Sequence, residues 1–375
     1  MRFRIERGAL ADAVAWAARA LPARSPLPVL GGLLLEAGGD RLCVSGYDHE
    51  VSARVSAEAG TDRAGRVLVM GRRLLDVCRV LPDGPVECVL DAARLTVSGG
   101  GTRFGLAALP LEDYPALPAM PEVRGTLDAA EFAAAVARVA VAAGRDDTLP
   151  VLTGIRLALD GDTLELAATD RYRFAVSTLG WRPVAPQPAA EVVVSARRLL
   201  EAARALAGAD TVRVALGDGA LGLEGAAMST TLRLLDGVLP RHDRLFALEQ
   251  PKVAVVERRP LSEAVKRVAV VAERHTPVRL AFAAGAVLLE AGVGDDDTAS
   301  QRLPAALAGA DTAVAFNPAY LADALGALDT PYVEFAMLGP GQRALLTGRR
   351  AVDGGPAGVA DQGHRHLLVA VKSPG

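Results

Sequence analysis

Residues 27–35 read Leu-Pro-Val-Leu-Gly-Gly-Leu-Leu-Leu, and residues 149–157 read Leu-Pro-Val-Leu-Thr-Gly-Ile-Arg-Leu. A shorter relative of both, Thr-Pro-Val-Arg-Leu-Ala-Phe, spans 276–282. In each, proline stops a preceding helix and presets an extended chain. The leucine and β-branched run that follows predicts a strand. Leu42–Ser45 returns along the first run through 37–40, and Leu164–Ala167 returns along the second through 160–162, predicting two hairpins. Upstream, apolar residues recur at i, i+4, i+7 and i+11: Leu10, Val14, Ala17, Leu21; then Phe132, Val136, Val139, Ala143; then Leu261, Val265, Val268, Ala272. That spacing places four side chains on one helical stripe. A second helical stripe recurs as Leu74, Cys78, Leu81, as Leu199, Ala203, Leu206, and as Leu321, Leu325, Leu328. Asn317-Pro318 offers the last of these helices a cap and a first-turn proline. Further strands are expected at 86–90, 212–216 and 333–336.

The chain thus repeats itself three times, which is read before any single motif. The expected fold is α+β, with three similar domains at 1–122, 123–250 and 251–375, each carrying two helices on antiparallel strands. Proline-rich 116–121 and Gln250-Pro251 suit the joints. A length of 375 residues exceeds a single core. With 51% hydrophobic and 23% charged residues the composition is that of a folded globular chain, not a disordered or collagen-like one.

The net charge of −3 gives no global sign of nucleic-acid binding, so any such surface has to be local. Cys43, Cys78 and Cys88 form no C-x-x-C pair and read as small buried hydrophobes, which fits a reducing cytoplasm. The N-terminal Met1–Arg7 alternates charge with apolar residues, a strand pattern unlike a signal peptide, and no uncharged apolar run is long enough to span a membrane.

Chemistry-bearing motifs are scarce. No P-loop, nucleophile elbow or H-E-x-x-H occurs, and no cofactor is expected. Ser98-Gly-Gly-Gly-Thr102 reads as a hairpin turn. His364 and His366 share a strand face but lack a companion carboxylate or thiol, so no metal site is expected; His49, His242 and His275 read as solvent or loop residues. Asp295-Asp-Asp297, with Asp146 and Asp147, is the one place for a metal-dependent nuclease, but consecutive aspartates on a strand diverge and read as a charged turn. The basic residues are more ordered: Arg72, Arg73 and Arg79 recur as Arg197, Arg198 and Arg204 beside the second helical stripe. Arg24, Arg145, Lys266 and Arg267 extend a face suited to phosphates, whereas the third repeat has Ala319, Tyr320 and Gly326 in register.

Several segments together resemble the bacterial sliding clamp, the beta subunit of DNA polymerase III. They are Leu27-Pro-Val-Leu30, Ala108-Leu-Pro-Leu-Glu-Asp-Tyr-Pro115, Ala168-Thr-Asp-Arg-Tyr-Arg-Phe-Ala-Val176 and Ala315-Phe-Asn-Pro318. The resemblance covers the chain in order and is nearest to actinobacterial members. It implies a non-catalytic DNA sliding clamp: two copies joined head to tail into a six-domain ring that encircles duplex DNA without reading its sequence and tethers the replicative polymerase. Twelve helices at about 10 Å each make a circle of axes roughly 120 Å around, leaving a lumen of about 28 Å. The ten basic residues above would line it and meet phosphates weakly.

The resemblance also implies a subunit interface in which Arg103, Phe104 and Leu106 face Ala269, Val270, Asp295, Asp296 and Asp297, the charges setting orientation. It implies a pocket between the second and third domains for a short peptide carried by the polymerase alpha subunit, the clamp loader and other clamp-binding proteins. The matching positions are Leu152, Thr169, Arg171, Tyr172, Arg173, Phe174, Pro240, Arg244, Leu245, Arg343, Leu367, Val369, Ala370, Val371 and Lys372. The tail departs from the family pattern, with Val369 where methionine is usual, Ala370 for proline, Lys372 for arginine and Ser373 for leucine. A specialised second clamp with an altered, inhibitor-resistant pocket is therefore the alternative reading.

Overall fold

The computed structural model describes residues 1–24, 27–186, 188–272, 276–292, 297–352 and 361–371. Its helices are α1 (Arg7–Ala17), α2 (Gly71–Val80), α3 (Ala129–Ala140), α4 (Ala196–Leu206), α5 (Asp243–Phe246), α6 (Arg258–Val268) and α7 (Pro318–Gly326). A short strand leads into the first helix of every repeat: Arg2–Glu6, Val123–Asp128 and Lys252–Glu257. In the first of them Phe3 and Ile5 point inward and Arg2 and Arg4 outward, the two-residue period of a half-buried strand.

The helical stripes are the core. Leu10, Val14 and Ala17 of α1, Phe132, Val136 and Val139 of α3, and Leu261 and Val265 of α6 are essentially inaccessible. Each fully buried leucine or phenylalanine contributes about 1.5–3 kcal/mol of transfer free energy. Leu21 and Ala272, the last positions of two stripes, are only half-buried because the helices end before them. Leu74, Leu199, Leu321 and Leu325 do the same for α2, α4 and α7. Asn317 caps α7 as its sequence predicts, its side chain accepting from the Ala319 and Tyr320 amides.

The Pro-Val-Leu segments differ from expectation. Pro28–Gly31 and Pro150–Thr153 are 3-10 turns, and the strands begin only at Gly32 and Gly154. Glycine is required at that entry, since a Cβ on Gly154 would lie 2.4 Å from Val193 Cγ1. The expected hairpins form, 32–38 with 41–47 and 154–160 with 163–169. Of the cysteines, Cys78 and Cys88 are buried, with thiols pushed up to about 11 and about 12 by burial. Cys43 is not fully buried: its sulfur accepts from Arg54 Nε at 2.9 Å.

Among the described residues every strand pair is antiparallel, and the chain packs as two compact units. One comprises 1–133, 181–186 and 201–234, and the other 134–180, 187–200 and 235–375. Among the described residues the first unit holds a 14-stranded sheet and the second a 12-stranded sheet. Both arise because consecutive repeats join strand to strand. In the first, Val51–Glu58 pairs with Met228–Arg233, and Ser52 and Thr231 bring their buried hydroxyls to 2.6 Å. In the second, Arg173–Gly180 pairs with Asp361–Val369, placing Phe174 opposite Leu367.

The strand Asp361–Val369 carries His366, which is fully buried with neither ring nitrogen hydrogen-bonded among the described residues. Burial holds its imidazole well below the ordinary histidine pKa, with His364 and Arg173 acting in the same direction. The unfolded chain therefore binds the extra proton, and stability declines as pH falls below about 6.5 towards the lower folded value. Urea unfolding at pH 7.5 and 5.5 is expected to show a smaller acid loss in His366→Leu than in the native chain. Removing the α7 cap in Asn317→Ala is expected to cost about 1 kcal/mol in the same assay.

Candidate functional site

The second unit contains a cavity of about 520 Å³ organised around one tight turn. In Asp170–Arg173, Arg171 takes the left-handed conformation (φ 80°). The strained backbone is held by side chains: Asp170 Oδ1 accepts from the Tyr172 and Arg173 amides at 3.0 and 3.1 Å. Thr169 Oγ1 accepts from the Arg171 amide at 3.1 Å and donates to the Arg173 carbonyl at 2.7 Å. The turn in turn fixes the Arg173 guanidinium, which is 96% removed from solvent. Its Nε donates to Asp170 Oδ2 at 2.9 Å and its Nη1 to Asp323 Oδ2 at 2.6 Å, and its Cζ lies 4.3 Å from the Tyr320 ring centre. A buried guanidinium with two carboxylates and an aromatic face is fully compensated and rigid.

The cavity is bounded by this turn, by Ala319, Tyr320 and Asp323 of α7, and by 143–152. Tyr172 and Leu149 expose 56% and 40% of their surfaces there. Next along the strand, Phe174 joins an apolar cluster with Ala167, Val176, Phe246 and Leu367, flanked by Leu245 and Leu345. Phe174 and Phe246 meet edge to face at 5.7 Å. The final described residues close the rim, with Val369 N donating to the Tyr172 carbonyl and Val371 N to the Ala315 carbonyl. Val369 and Val371 are about two-fifths exposed, while Ala370 is buried. Arg343 Nη1 donates to the Leu245 carbonyl at 3.1 Å and Pro240 and Arg244 are exposed. The candidate residues Leu152, Arg171, Tyr172 and Arg173 thus line the cavity, Phe174, Leu245 and Leu367 form the apolar cluster, and Lys372 lies outside the described residues.

Several residues here carried no sequence signal. Asp170 sits inside the quoted motif, but Asp323, Phe246, Arg156 and Glu165 come from separate elements. His242, expected in solvent or a loop, does lie on a loop but is 96% buried, packed on Phe174 and Phe246 with ring centres 5.7 and 5.0 Å away. Arg145, placed among the phosphate-facing residues, is exposed and lines the cavity. The first unit has the same turn at Asp48–Val51, with His49 at φ 71° and Asp48 Oδ1 accepting two amides. Valine stands there in place of the arginine.

The remaining basic candidates are on the outward faces of helices and on loops. Arg24, Arg72, Arg73, Arg79, Arg197, Arg204, Lys266 and Arg267 are exposed and Arg198 is half-exposed. Arg72 donates to the Pro22 and Ala23 carbonyls at 3.2 Å, Arg79 pairs with Asp76, Lys266 with Glu263 and Arg267 with Gln301.

The strand Thr102–Leu109 carries exposed Arg103 and half-buried Phe104 and Leu106. Its residues 102–107 pair on one side with Arg94–Gly99, and on the other side only Ala108 and Leu109 pair, leaving 102–107 an open edge among the described residues. In the second unit Val270 is 82% exposed beside half-buried Ala269. Asp297 is exposed, and Asp295, Asp296 and His275 lie outside the described residues. No group of three metal-ligating side chains occurs among the described residues. No helix there is long and apolar enough to cross a membrane.

Comparison with known proteins agrees with this architecture. Residues 1–118, 126–241 and 243–354 match the N-terminal, central and C-terminal domain models of the DNA polymerase III beta subunit. The chain is 51% identical to the beta sliding clamp of Streptomyces coelicolor, with all of both chains covered. It is 43% identical to the beta sliding clamp homolog GriR of Streptomyces muensis, with 99% of each covered. A crystal structure of the Pseudomonas aeruginosa sliding clamp bound to griselimycin superposes with a TM-score of 0.91 at 26% identity, covering both chains completely. Three repeats, two antiparallel sheets and a full-length match together establish that the chain belongs to the bacterial DNA polymerase III beta-subunit family, the non-catalytic sliding clamps of DNA replication.

Proposed function

We propose that this clamp holds its partner proteins through the groove formed by the Asp170–Arg173 turn, the Phe174 cluster and the 369–371 rim. The observation that carries the reading is the immobilised Arg173. A pre-formed cavity beside an apolar cluster accepts leucine and phenylalanine side chains with little reorganisation. The buried arginine and the exposed Tyr172 supply polar orientation at the rim. The replicative polymerase and the clamp loader are the partners this reading names.

Two copies close head to tail, the open edge at 102–107 meeting the opposite face around Ala269, Val270 and Asp297. Unsatisfied strand-edge amides and carbonyls favour addition of a further strand, and association of unlike patches closes a ring when the rotation permits. The three domains fall at 1–122, 123–250 and 251–375. The arginines of α2 and α4, with Arg24, Arg145, Lys266 and Arg267, face the enclosed duplex and neutralise phosphates weakly enough for the ring to slide.

An acetylated, amidated peptide of the Gln-Leu-x-Leu-Phe type is expected to bind the folded dimer with micromolar or tighter affinity in calorimetry. Phe174→Ala is expected to weaken it by about tenfold or more, as loss of a central aromatic anchor does. A folded dimer without measurable binding would refute the groove assignment. A second reading, a specialised clamp, is motivated by the tail's departures from the family pattern, above all the shorter and exposed Val369 where methionine is usual and Ala370 for proline. Retained peptide binding with no binding of griselimycin would select it, and binding of both would remove it.

For the ring, Phe104→Asp combined with Val270→Asp is expected to convert the dimer to folded monomer in light scattering, since each places a charge in an apolar contact. Persistence of the dimer in the double variant would place the interface elsewhere.

A further inference from the structure

We infer that His242 is the positioning residue of the peptide groove and that its neutral form holds the groove wall in place, so that proton uptake at His242 weakens partner binding. The inference rests on the groove assignment above. His242 precedes α5, and its own carbonyl accepts the Leu245 and Phe246 amides at 2.8 and 2.9 Å. The one residue therefore ties the wall's short helix by its backbone and anchors it to the sheet by its side chain.

The partners determine the tautomer. His242 Nδ1 lies 3.4 Å from Nη2 of Arg156, and Nε2 lies 3.4 Å from Oε2 of Glu165. A guanidinium has only donors, so Nδ1 has to be the bare, accepting nitrogen, and Nε2 carries the hydrogen towards the carboxylate. Arg156 also pairs directly with Glu165, which closes a triangle of three side chains from two strands and the loop. Arg156 and His242 are each 4% exposed, while the Glu165 side chain keeps 22% of its surface accessible.

A second proton has one place to go, Nδ1. There it removes the acceptor that Arg156 uses and sets a cation against a buried guanidinium. The other charges around the ring do not reverse this. Asp243 Oδ1 is 3.9 Å from Nε2 but is largely exposed. Glu191 lies 3.9 Å from Arg156 Nη1 and favours the arginine charge rather than the histidine. Arg365 stacks 5.2 Å from the Phe246 ring centre and opposes a further cation. Glu165, which already serves Arg156, and the exposed Asp243 favour protonation but do not outweigh burial and the neighbouring cations. Burial, together with Arg156 and Arg365, lowers the imidazole pKa against the pull of Glu165 and Asp243. The aromatic trio of His242, Phe174 and Phe246 transmits the disturbance to the groove, because Phe174 is at once the neighbour of the ring and part of the apolar cluster.

Protonated molecules have the wall released and count as incompetent for peptide, so apparent affinity falls with the competent fraction. Glutamine discriminates this role from simple packing. Its carbonyl accepts from Arg156 and its amide donates to Glu165, which reproduces the neutral bonds without a titrating proton.

The test measures binding of the blocked Gln-Leu-x-Leu-Phe peptide to native, His242→Gln and His242→Leu protein from pH 8 to pH 5.5, with near-ultraviolet circular dichroism confirming the fold at each pH. The native affinity is expected to be level above about pH 7 and to weaken progressively as pH falls below the ordinary histidine value of about 6.5. His242→Gln is expected to lie within about twofold of native at pH 7.5 and to stay level throughout. His242→Leu, lacking both bonds, is expected to be weak at every pH. A level native profile, or a parallel fall in native and His242→Gln, overturns the inference. Nitrogen NMR of the His242 ring gives a reading that needs no peptide: an Nε2–H neutral tautomer is expected, and an Nδ1–H tautomer overturns the inference. Failure of native protein to bind peptide at pH 7.5 while the ring shows the expected tautomer counts against the groove assignment and not against the triangle.

Discussion

Backbone pairing between consecutive repeats is the constraint on which the rest of the structure depends. A repeat of this size ends in strand edges with unsatisfied amides and carbonyls, and the next repeat supplies their partners. Val51–Glu58 finds Met228–Arg233 in one unit, and Arg173–Gly180 finds Asp361–Val369 in the other. The sheets that result run continuously across repeat borders, which is why the compact units cut through the middle repeat. The same pairing sets Phe174 opposite Leu367 and so creates the apolar cluster beside the cavity.

Duplication supplied two copies of one turn, and substitution gave them different uses. Asp48–Val51 and Asp170–Arg173 share the aspartate that accepts two amides and the left-handed residue that follows it. Only the second places an arginine at its end, and only there do Asp323 and Tyr320 complete a cage around a buried guanidinium. Burying that charge is tolerable because both carboxylates and the ring face compensate it. The rigid result is a cavity wall in a protein family that performs no chemistry of its own, where specificity has to come from shape and a few fixed polar groups.

Helix faces divide the remaining labour. The stripes at i, i+4 and i+7 are sequestered against the sheets, and the opposite faces leave Arg72, Arg73, Arg79, Arg197 and Arg204 outside. Among these cations Arg72 is tethered locally by the Pro22 and Ala23 carbonyls and Arg79 by Asp76. A tethered guanidinium still presents positive charge but surrenders little entropy on meeting an anion, as the proposed weak contacts with DNA require.

The sequence by itself determined the repeats, the apolar stripes, the hairpins and the cap at Asn317, because periodicity and turn chemistry are local properties written every few residues. Local rules misjudged Pro28–Gly31 and Pro150–Thr153, where proline favoured a 3-10 turn before the strand, and they could not see that Cys43 faces Arg54. Only the tertiary structure decided that His242 is enclosed by Arg156, Glu165, Phe174 and Phe246, that Arg145 lines the cavity, and that Asp323 completes the Arg173 cage. Those residues lie on elements far apart in the chain, and no local pattern records which of them will meet. Burial and charge compensation belong to the assembled sheet and not to any one segment, so a buried histidine and an exposed one look alike until the strands around them are in register.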